Sequence, residues 1–407
     1  MAVPTPKVEV GFDLTDNPWA PFFQLDNATK GRLDNEDYRL AGPLFYDVSD
    51  RVIGLSIERG KAAILSEMPP GECQVDFTNH DRAFDPLFES SPFYPEIVPR
   101  REIRISADDE LIFSGWIEDW DLDYQPDGDS VATAKAYDAL SILGNQTLNA
   151  FTPSVETSGQ RINTILDRSE VNWPSALRDI DAGTVDVADT PSSAGNNVIT
   201  YLENIAGSDP GFIFIDKAGR FAFRDKLRAP TSANLVALGE GGIPHSSMQV
   251  EYGSELLFNR VTATRQGGGT AIANDVVSQN DYGVRDLTIN DLQLTSDTDL
   301  ADFVVNQISL YSEPEYRFTR VTVNVERLDV ADQEAILNLD LGDICSVTFT
   351  PNGIGPAIER YVEVREITHR VDLFIHRVEL GFNELRYAPL VLDDAVFGKL
   401  DVGRLSW

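Results

Sequence analysis

Residues 73–124 read CQVDFTNHDRAFDPLFESSPFYPEIVPRREIRISADDELIFSGWIEDWDLDY, and this stretch decides the fold. It begins with CQVDF, in which Val75 and Phe77 alternate with polar residues as they do in a half-buried strand. Strand pattern returns in EIRIS and, after an ADDE turn, in LIFSGWIEDWDLDY. The two later segments predict a β-hairpin, and short strands joined by Gly, Pro and Asp turns on either side predict a mainly β fold.

The segment 79–101 between these strands predicts a long ordered loop. It contains four prolines, and each proline fixes φ and removes a backbone donor, so a sheet ladder cannot continue through it. We expect its aromatic side chains to contact a neighbouring subunit or a partner, with coverage of its own domain as the alternative; they are Phe84, Phe88, Phe93 and Tyr94. Asp81 and Asp85 are predicted to brace the loop rather than to bind calcium, because the glycine framework of an EF-hand loop is missing.

The hairpin that follows carries a row of carboxylates. Period-2 alternation predicts one face formed by Asp119, Asp121 and Asp123. The same alternation predicts an opposite face formed by Trp116, Trp120, Leu122 and Tyr124. Between Ile105 and Ala134 there are nine acidic residues and no Lys or Arg, so no cation close in sequence neutralises the row.

The composition excludes several classes of function. A net charge of −33 opposes tight binding to nucleic acid or to an anionic membrane, since both need clustered Lys and Arg. General solubility or adaptation to high salt is the alternative explanation of the acidity. The two cysteines lie in separate strand-like runs and predict buried thiols rather than a disulfide or a metal site. No signal segment or membrane-spanning run is visible, which predicts folding in a cytoplasm followed by assembly.

The block NHDRAFDPLFESSPFYPEIVPRREIRI, followed by LIFSGWIEDWDLDY, resembles minor tail proteins of long-tailed phages of actinobacteria, a group similar to baseplate-hub or tail-tip hub proteins. The resemblance implies a structural, non-enzymatic virion protein without cofactors, located at the tail tip. It implies a homotrimer whose two β-barrel-like domains per chain close the tail tube as a ring. It also implies contacts with a distal tail protein, the C-terminus of the tape-measure protein, and tip or fibre proteins.

The order of patterns along the chain divides it into five parts. The prediction is an N-terminal strand and arm (1–45), a first β-barrel domain (46–150), an α/β insert domain (151–247), a second β-barrel domain (248–388) with an insertion at 266–315, and a C-terminal arm (389–407).

Two similar segments lie near the chain ends. Residues 25–33 read LDNATKGRL and residues 392–400 read LDDAVFGKL. They predict two equivalent docking arms, with chance similarity as the alternative; the recurring residues are Leu25, Asp26, Gly31 and Leu33, and Leu392, Asp393, Gly398 and Leu400.

No catalytic, cofactor or metal site is predicted. The four histidines show no metal-ligand spacing, and no serine lies in a nucleophile-elbow motif. His369 and His376 are predicted to point to opposite faces of a strand pair. Two other functions stay open: a receptor-binding or host-adhesion tail protein, which would bind cell wall by itself, and a tail-associated cell-wall hydrolase, for which a catalytic constellation is missing.

Overall fold

The computed structural model describes residues 4–12, 44–61, 68–126, 128–226, 228, 235–385 and 390–399. The strands are β1 (Pro6–Phe12), β2 (Leu44–Asp47), β3 (Val52–Gly60), β4 (Glu72–Thr78), β5 (Arg101–Ala107), β6 (Glu110–Asp123), β7 (Val131–Tyr137), β8 (Thr147–Leu148), β9 (Glu156–Thr157), β10 (Arg178–Ile180), β11 (Asp186–Val187), β12 (Asn196–Asn197), β13 (Phe212–Ile215), β14 (Phe221–Arg224), β15 (Val236–Gly239), β16 (Ser247–Gly253), β17 (Arg260–Arg265), β18 (Thr270–Asn274), β19 (Asp286–Leu292), β20 (Glu315–Asn324), β21 (Ile344–Phe349), β22 (Ile358–Asp372) and β23 (His376–Glu384). The helices are α1 (Leu140–Gly144), α2 (Ser158–Leu166), α3 (Val198–Ser208), α4 (Val276–Tyr282), α5 (Asp297–Tyr311) and α6 (Val330–Asn338).

One large sheet dominates the described part of the chain. Its strands follow the order β16-β20-β23-β22-β3-β4-β7-β6-β5-β1-β2, and β15 and β21 branch from it at β22. The predicted mainly β fold with a small α/β insert is therefore confirmed.

The long strand β22 joins two β-rich halves of the chain. Its first part pairs with β21 and its second part pairs with β3, while β23 runs along its other side. The first half, β1–β7, and the second half, which contains β16 and β20–β23, consequently form one continuous sheet rather than two separate ones.

Each half has its own apolar core. The first core contains the inward side chains of β1, β3–β7 and the 79–101 loop, such as Val75, Phe77 and Ile103. A second core is shared by the second half and the α/β unit, and it includes Leu202, Phe214 and Val321. Burial of this kind contributes about 25 cal/mol per Å² of apolar surface, so these cores are the main source of stability.

The α/β unit consists of α2, α3 and the hairpin β13–β14. Helix α2 begins with a capping box in which Thr157 and Gln160 satisfy each other's backbone N–H groups. Asn197 is the N-cap residue of α3, and its side chain accepts the backbone N–H of Thr200. All four residues of β13 and all four of β14 are buried, because this hairpin lies between the helices and the second half.

A third unit lies between β16 and β20. Strand β17 pairs with β18 and with β19 rather than with the main sheet, and α5 packs on β17 and β18 over a small core around Val261 and Phe303. The insertion predicted at 266–315 thus starts earlier in the structure, since β17 belongs to it. Strand β1 lies at the position of the predicted N-terminal strand and is part of the main sheet, between β5 and β2, while residues 13–43 of the predicted arm lie outside the described residues. No helix within the described ranges has the length and apolarity needed to cross a membrane.

Candidate functional site on the polar sheet face

The predicted carboxylate row lies on one face of β6 and is exposed. Asp119, Asp121 and Asp123 all point away from the first core. A β-bulge between Ile117 and Asp119 shifts the alternation at Glu118.

Because of the bulge, the apolar face differs from the one that the alternation predicts. Trp116 lies opposite Tyr137 on the same face as the aspartates, whereas Trp120 and Leu122 point into the first core. Trp116 packs instead against the second core. A strict period of two cannot detect the inserted residue, which is why the prediction for Trp116 was wrong.

The row has a cationic neighbour that is close in space. Lys135 on β7 lies opposite Asp119, and its Nζ is 2.6 Å from Oδ2 of Asp121. The hydrogen bond to Asp121 raises the pKa of Lys135. Lys135 lies one residue beyond the stretch that lacks Lys and Arg. Because a single lysine faces three aspartates, the row is only partly neutralised.

The polar face continues across the whole sheet. Gln74 and Asp76 on β4, and then Glu58 on β3, share the face with the aspartates of β6. Across the β3–β22 junction it becomes more mixed in charge, since Arg320 on β20 contacts both Glu366 and Glu379 at 2.9 Å. The acidic end of this face is therefore β6.

The 79–101 loop is a series of consecutive turns. The N–H groups of residues 82, 85, 88, 91 and 94 each donate to the carbonyl three residues earlier, at 2.9–3.2 Å. Pro86 and Pro92 occupy second positions of these turns, where proline's fixed φ fits and its N–H is not needed. Three side chains accept further backbone N–H groups and hold the turns: Asn79, Asp85 and Ser91.

Half of the loop's aromatic side chains belong to the first core. Phe84 is fully buried and Phe93 is 9% exposed, and their rings stack at 5.3 Å. This contradicts an interface role for these two residues, because a buried ring cannot reach a partner. Tyr94 is 40% exposed, and Phe88 is half-buried beneath the guanidinium of Arg82.

Sequence reasoning missed the most exposed apolar residue of the loop, Leu87, which is 85% exposed. The same loop shows the predicted bracing by aspartates. Asp81 forms two hydrogen bonds with Arg51 at 2.9 Å, and Asp85 accepts the hydroxyl of Tyr124 at 2.7 Å. The bond from Tyr124 holds the pKa of Asp85 below its ordinary value.

The C-terminal segment 390–399 forms a compact turn on the second half. Phe397 is fully buried against the ring of Tyr361, while Leu392 is 83% exposed. A Cβ at Gly398 would lie 2.4 Å from the carbonyl oxygen of Asp394, which explains a glycine there. The predicted arm residues Leu25, Asp26, Gly31, Leu33 and Leu400 lie outside the described residues. When residues 25–33 are aligned with residues 392–400, Lys30 stands at the position of Phe397. The N-terminal segment therefore has no counterpart of the buried Phe397 side chain.

An ion pair between a buried arginine and a partly buried aspartate ties three units together. Arg59 on β3 is 3% exposed and donates through Nη2 to Oδ1 of Asp340 at 2.6 Å and to the carbonyl of Ile215 at 3.0 Å. These partners belong to the second half and to the α/β unit. Sequence reasoning missed this contact, since 281 residues separate Arg59 from Asp340.

Two buried histidines lie beside this junction. Nδ1 of His369 is 3.1 Å from Nε2 of His376, so the two side chains share one face and the prediction of opposite faces was wrong. The register of the hairpin explains the error. His376 pairs with Val371, and His369 lies two residues before Val371 on the same strand, so His369 and His376 lie on the same face of the sheet. Burial lowers the pKa of His376 to about 4, and burial together with His376 lowers that of His369.

Within the described ranges, no cluster of three or more His, Cys, Asp or Glu residues could hold a metal ion. Cys73 and Cys345 are free and buried, and burial raises the pKa of both thiols.

A cleft of about 720 Å³ separates the α/β unit, the insertion and the second half. On its wall the guanidinium of Arg365 lies 3.6 Å from the ring centroid of Phe212 and pairs with Glu363.

The fold is shared with phage tail proteins. The tail protein from Neisseria meningitidis MC58 aligns over 93% of this chain and 96% of its own, with 13% identity and a TM-score of 0.61. The 43 kDa tail protein of prophage MuSo2 from Shewanella oneidensis aligns over 85% of this chain and 96% of its own, with 15% identity and a TM-score of 0.54. No family model and no curated protein sequence matches the chain. The likeness to tail proteins expected from residues 79–124 is thus confirmed for the fold.

Proposed function

We propose that this chain is a structural tail protein of a phage virion, the homotrimeric hub that closes the tail tube at its tip. The observation that carries the proposal is the continuous sheet, in which β22 joins two β-rich halves edge to edge. Two such halves in each of three copies give six similar units around one axis. The shared fold with tail proteins over 93% of the chain supports the same proposal.

The polar sheet face would line the channel of this ring. DNA leaving the tail must not adhere to the wall, and carboxylates repel phosphate over a Debye length of about 8 Å at physiological salt. Asp119, Asp121 and Asp123 form the acidic end of the face and are our candidates for this repulsion. The role needs no cofactor and no bond-making step.

The exposed apolar side chains fit contacts with other tail components. Leu87 and Tyr94 project from a loop whose turns hold them rigidly, which lowers the entropy lost on binding. A distal tail protein, the C-terminus of a tape-measure protein, and tip or fibre proteins are the proposed partners of a minor tail protein of this type, at the tail tip of a siphovirus that assembles in an actinobacterial cytoplasm.

Native mass spectrometry of the purified chain over a concentration series tests the hub. We expect a trimer, or a monomer that becomes a trimer when the distal tail protein is added. A monomer indifferent to that protein would contradict the proposal and favour a peripheral adhesion protein.

Virions carrying Asp119→Lys, Asp121→Lys and Asp123→Lys together test the channel wall, and we expect slower DNA ejection from normally assembled tails. A control with an equal change in charge uses exposed acids outside the main sheet: Asp281→Lys, Asp302→Lys and Glu334→Lys. Unchanged ejection in the first set, or equal slowing in both, would refute the assignment.

A further inference from the structure

The turn between β22 and β23 projects three consecutive apolar side chains into solvent. Leu373 is 69% exposed, Phe374 is 78% exposed and Ile375 is 42% exposed. We call residues 372–375 the hairpin tip. A single exposed apolar residue is ordinary on a protein surface, whereas a run of three is an aggregation hazard and indicates a surface that another molecule covers.

A fourth apolar side chain lies beside the hairpin tip. Gly54 on β3 pairs with Asp372, so Ile53, the residue before Gly54, lies next to the tip. A β-bulge in the pairing of β3 with β4 leaves Ile53 without a partner on β4, and its side chain is exposed. Ile53 and the three residues of the tip therefore form one apolar patch at this end of the main sheet.

The hairpin tip is ordered by its own hydrogen bonds. Oδ1 of Asp372 accepts the backbone N–H groups of Phe374 and Ile375, both at 3.0 Å. The backbone N–H of Asp372 donates to the carbonyl of Ile375, also at 3.0 Å. His376, directly after the tip, is fully buried and fixes the base of the turn. A turn that is ordered before binding loses little conformational entropy when a partner covers it.

Two exposed arginines face each other directly behind the tip. Arg370 on β22 and Arg377 on β23 are register partners, and like charges in directly opposite positions destabilise a sheet. The nearest carboxylate to Arg370 is that of Glu58 at 3.4 Å, and both side chains are largely exposed. In the part of the chain that the structure describes, the side chain of Arg377 has no partner. These cations are a local exception in a chain with 66 acidic and 33 basic residues.

The patch and the arginines together define the chemistry of a partner. The apolar side chains fit a pocket lined by apolar groups, and arginine forks bind carboxylates. A DNA phosphate would satisfy the arginines, but it would leave the apolar patch in water, and the net charge of −33 opposes it. Contact between the tips of two copies of this chain would bring four arginines together. A different protein with apolar and acidic side chains fits both features.

We infer that the hairpin tip, together with Ile53, Arg370 and Arg377, is a docking site for a segment of another tail protein that presents apolar side chains beside carboxylates. The inference rests on the proposed function, because it takes the partner from the same virion. It adds a second contact surface to the one formed by Leu87 and Tyr94, with the chemistry of its partner specified.

Photo-cross-linking in assembled virions tests the docking site. The photoreactive residue p-benzoylphenylalanine replaces Phe374, virions are purified and irradiated, and mass spectrometry identifies the cross-linked peptide. We expect a peptide of a different tail protein that contains both apolar residues and Asp or Glu. The matched control carries the same photoreactive residue at Val276, which is 64% exposed on α4, and should not cross-link to that peptide.

Charge reversal at Arg377 tests the role of the arginines. Arg377→Glu places an opposite charge across from Arg370, so the urea midpoint of the isolated chain should stay the same or rise. The same change should weaken docking. When purified chain is added to tail precursors from a phage with an amber codon in this gene, the concentration for half-maximal tail completion should rise about tenfold.

Arg360→Glu is the matched control for this reversal. Arg360 is also an exposed arginine of β22, with one ion pair to Glu384 at 3.4 Å, and it lies ten residues from Arg370, about 33 Å along the strand. We expect this control to complete tails at the concentration of the unchanged protein. Equal effects of the two reversals, or a lower urea midpoint in Arg377→Glu that accounts for the loss, would overturn the docking role.

The outcomes of the cross-linking separate this inference from the proposed function. Cross-links from position 374 only to another copy of this chain, or only to DNA, would overturn the docking site and leave the tail role intact. No cross-link in virions that contain the chain would overturn it in the same way. Absence of the chain from purified virions would overturn both.

Discussion

Replacing Phe84 by Ala distinguishes a core role from an interface role for the 79–101 loop. The Phe84 ring is fully buried. Its centroid lies 4.6 Å from the ring centroid of Phe77, 5.3 Å from that of Phe93 and 5.5 Å from that of Trp120. Truncating a buried Phe costs about 3–5 kcal/mol, and each aromatic pair contributes about 0.5–1.5 kcal/mol beyond its buried area. Three such pairs place the expected loss for Phe84→Ala in the upper part of that range, about 4–5 kcal/mol.

Hydrogen–deuterium exchange of the β4 and β6 amides at increasing urea measures this loss in the first half of the chain. Phe88→Ala is the matched control, since Phe88 is half-buried and its main described contact is the guanidinium of Arg82 at 4.8 Å. We expect that control to cost about 1 kcal/mol or less. A loss below about 1 kcal/mol for Phe84→Ala would refute the core assignment.

Three further predictions concern the second half and its junctions. Arg59→Met leaves the Asp340 carboxylate, whose side chain is 17% exposed, without this cation and should cost about 2–3 kcal/mol in urea unfolding, whereas a cost below about 1 kcal/mol would show that the pair is dispensable. The lowered pKa values of His369 and His376 mean that the unfolded state binds more protons below pH 6.5, so unfolding free energy should fall from pH 6.5 towards 4, and less steeply in His376→Gln. Burial raises the pKa of Asp138 to about 7, which gives the opposite slope, so the comparison with His376→Gln isolates the histidines. Phe397→Ala should speed amide exchange in 390–399 while main-sheet amides keep their protection.

The sequence was sufficient to predict the features that depend on local patterns. Alternation in CQVDF, EIRIS and LIFSGW predicts β4, β5 and β6, and all three strands are present. The prolines of the 79–101 loop predict order without a ladder, and the structure shows consecutive turns. Local steric and hydrogen-bonding preferences are enough for such predictions.

Features that depend on tertiary pairing could not be predicted. The bulge at Glu118 adds one residue to β6 and reverses the face of Trp116. The contact between His369 and His376 depends on hairpin register, and the bond from Arg59 to Asp340 joins distant parts of the chain. The inward position of Phe84 and Phe93 follows from the path of the turns, which composition does not specify.

The distribution of charge over two edges of the main sheet separates two explanations of the acidic row. Within the described residues, strand β16 pairs only with β20, and residues 119–123 of β6 pair only with β7. Protection against indiscriminate pairing would place charge on both edges, since either edge can act as a template. The β6 edge has three exposed aspartates in alternation, while β16 has one acidic residue, Glu251, which already contacts Arg317. Edge protection therefore explains part of the row but not its concentration on β6. In the proposed channel, repulsion of phosphate would require only that charge be dense somewhere on the polar face, and a row concentrated on β6 is what that proposal expects.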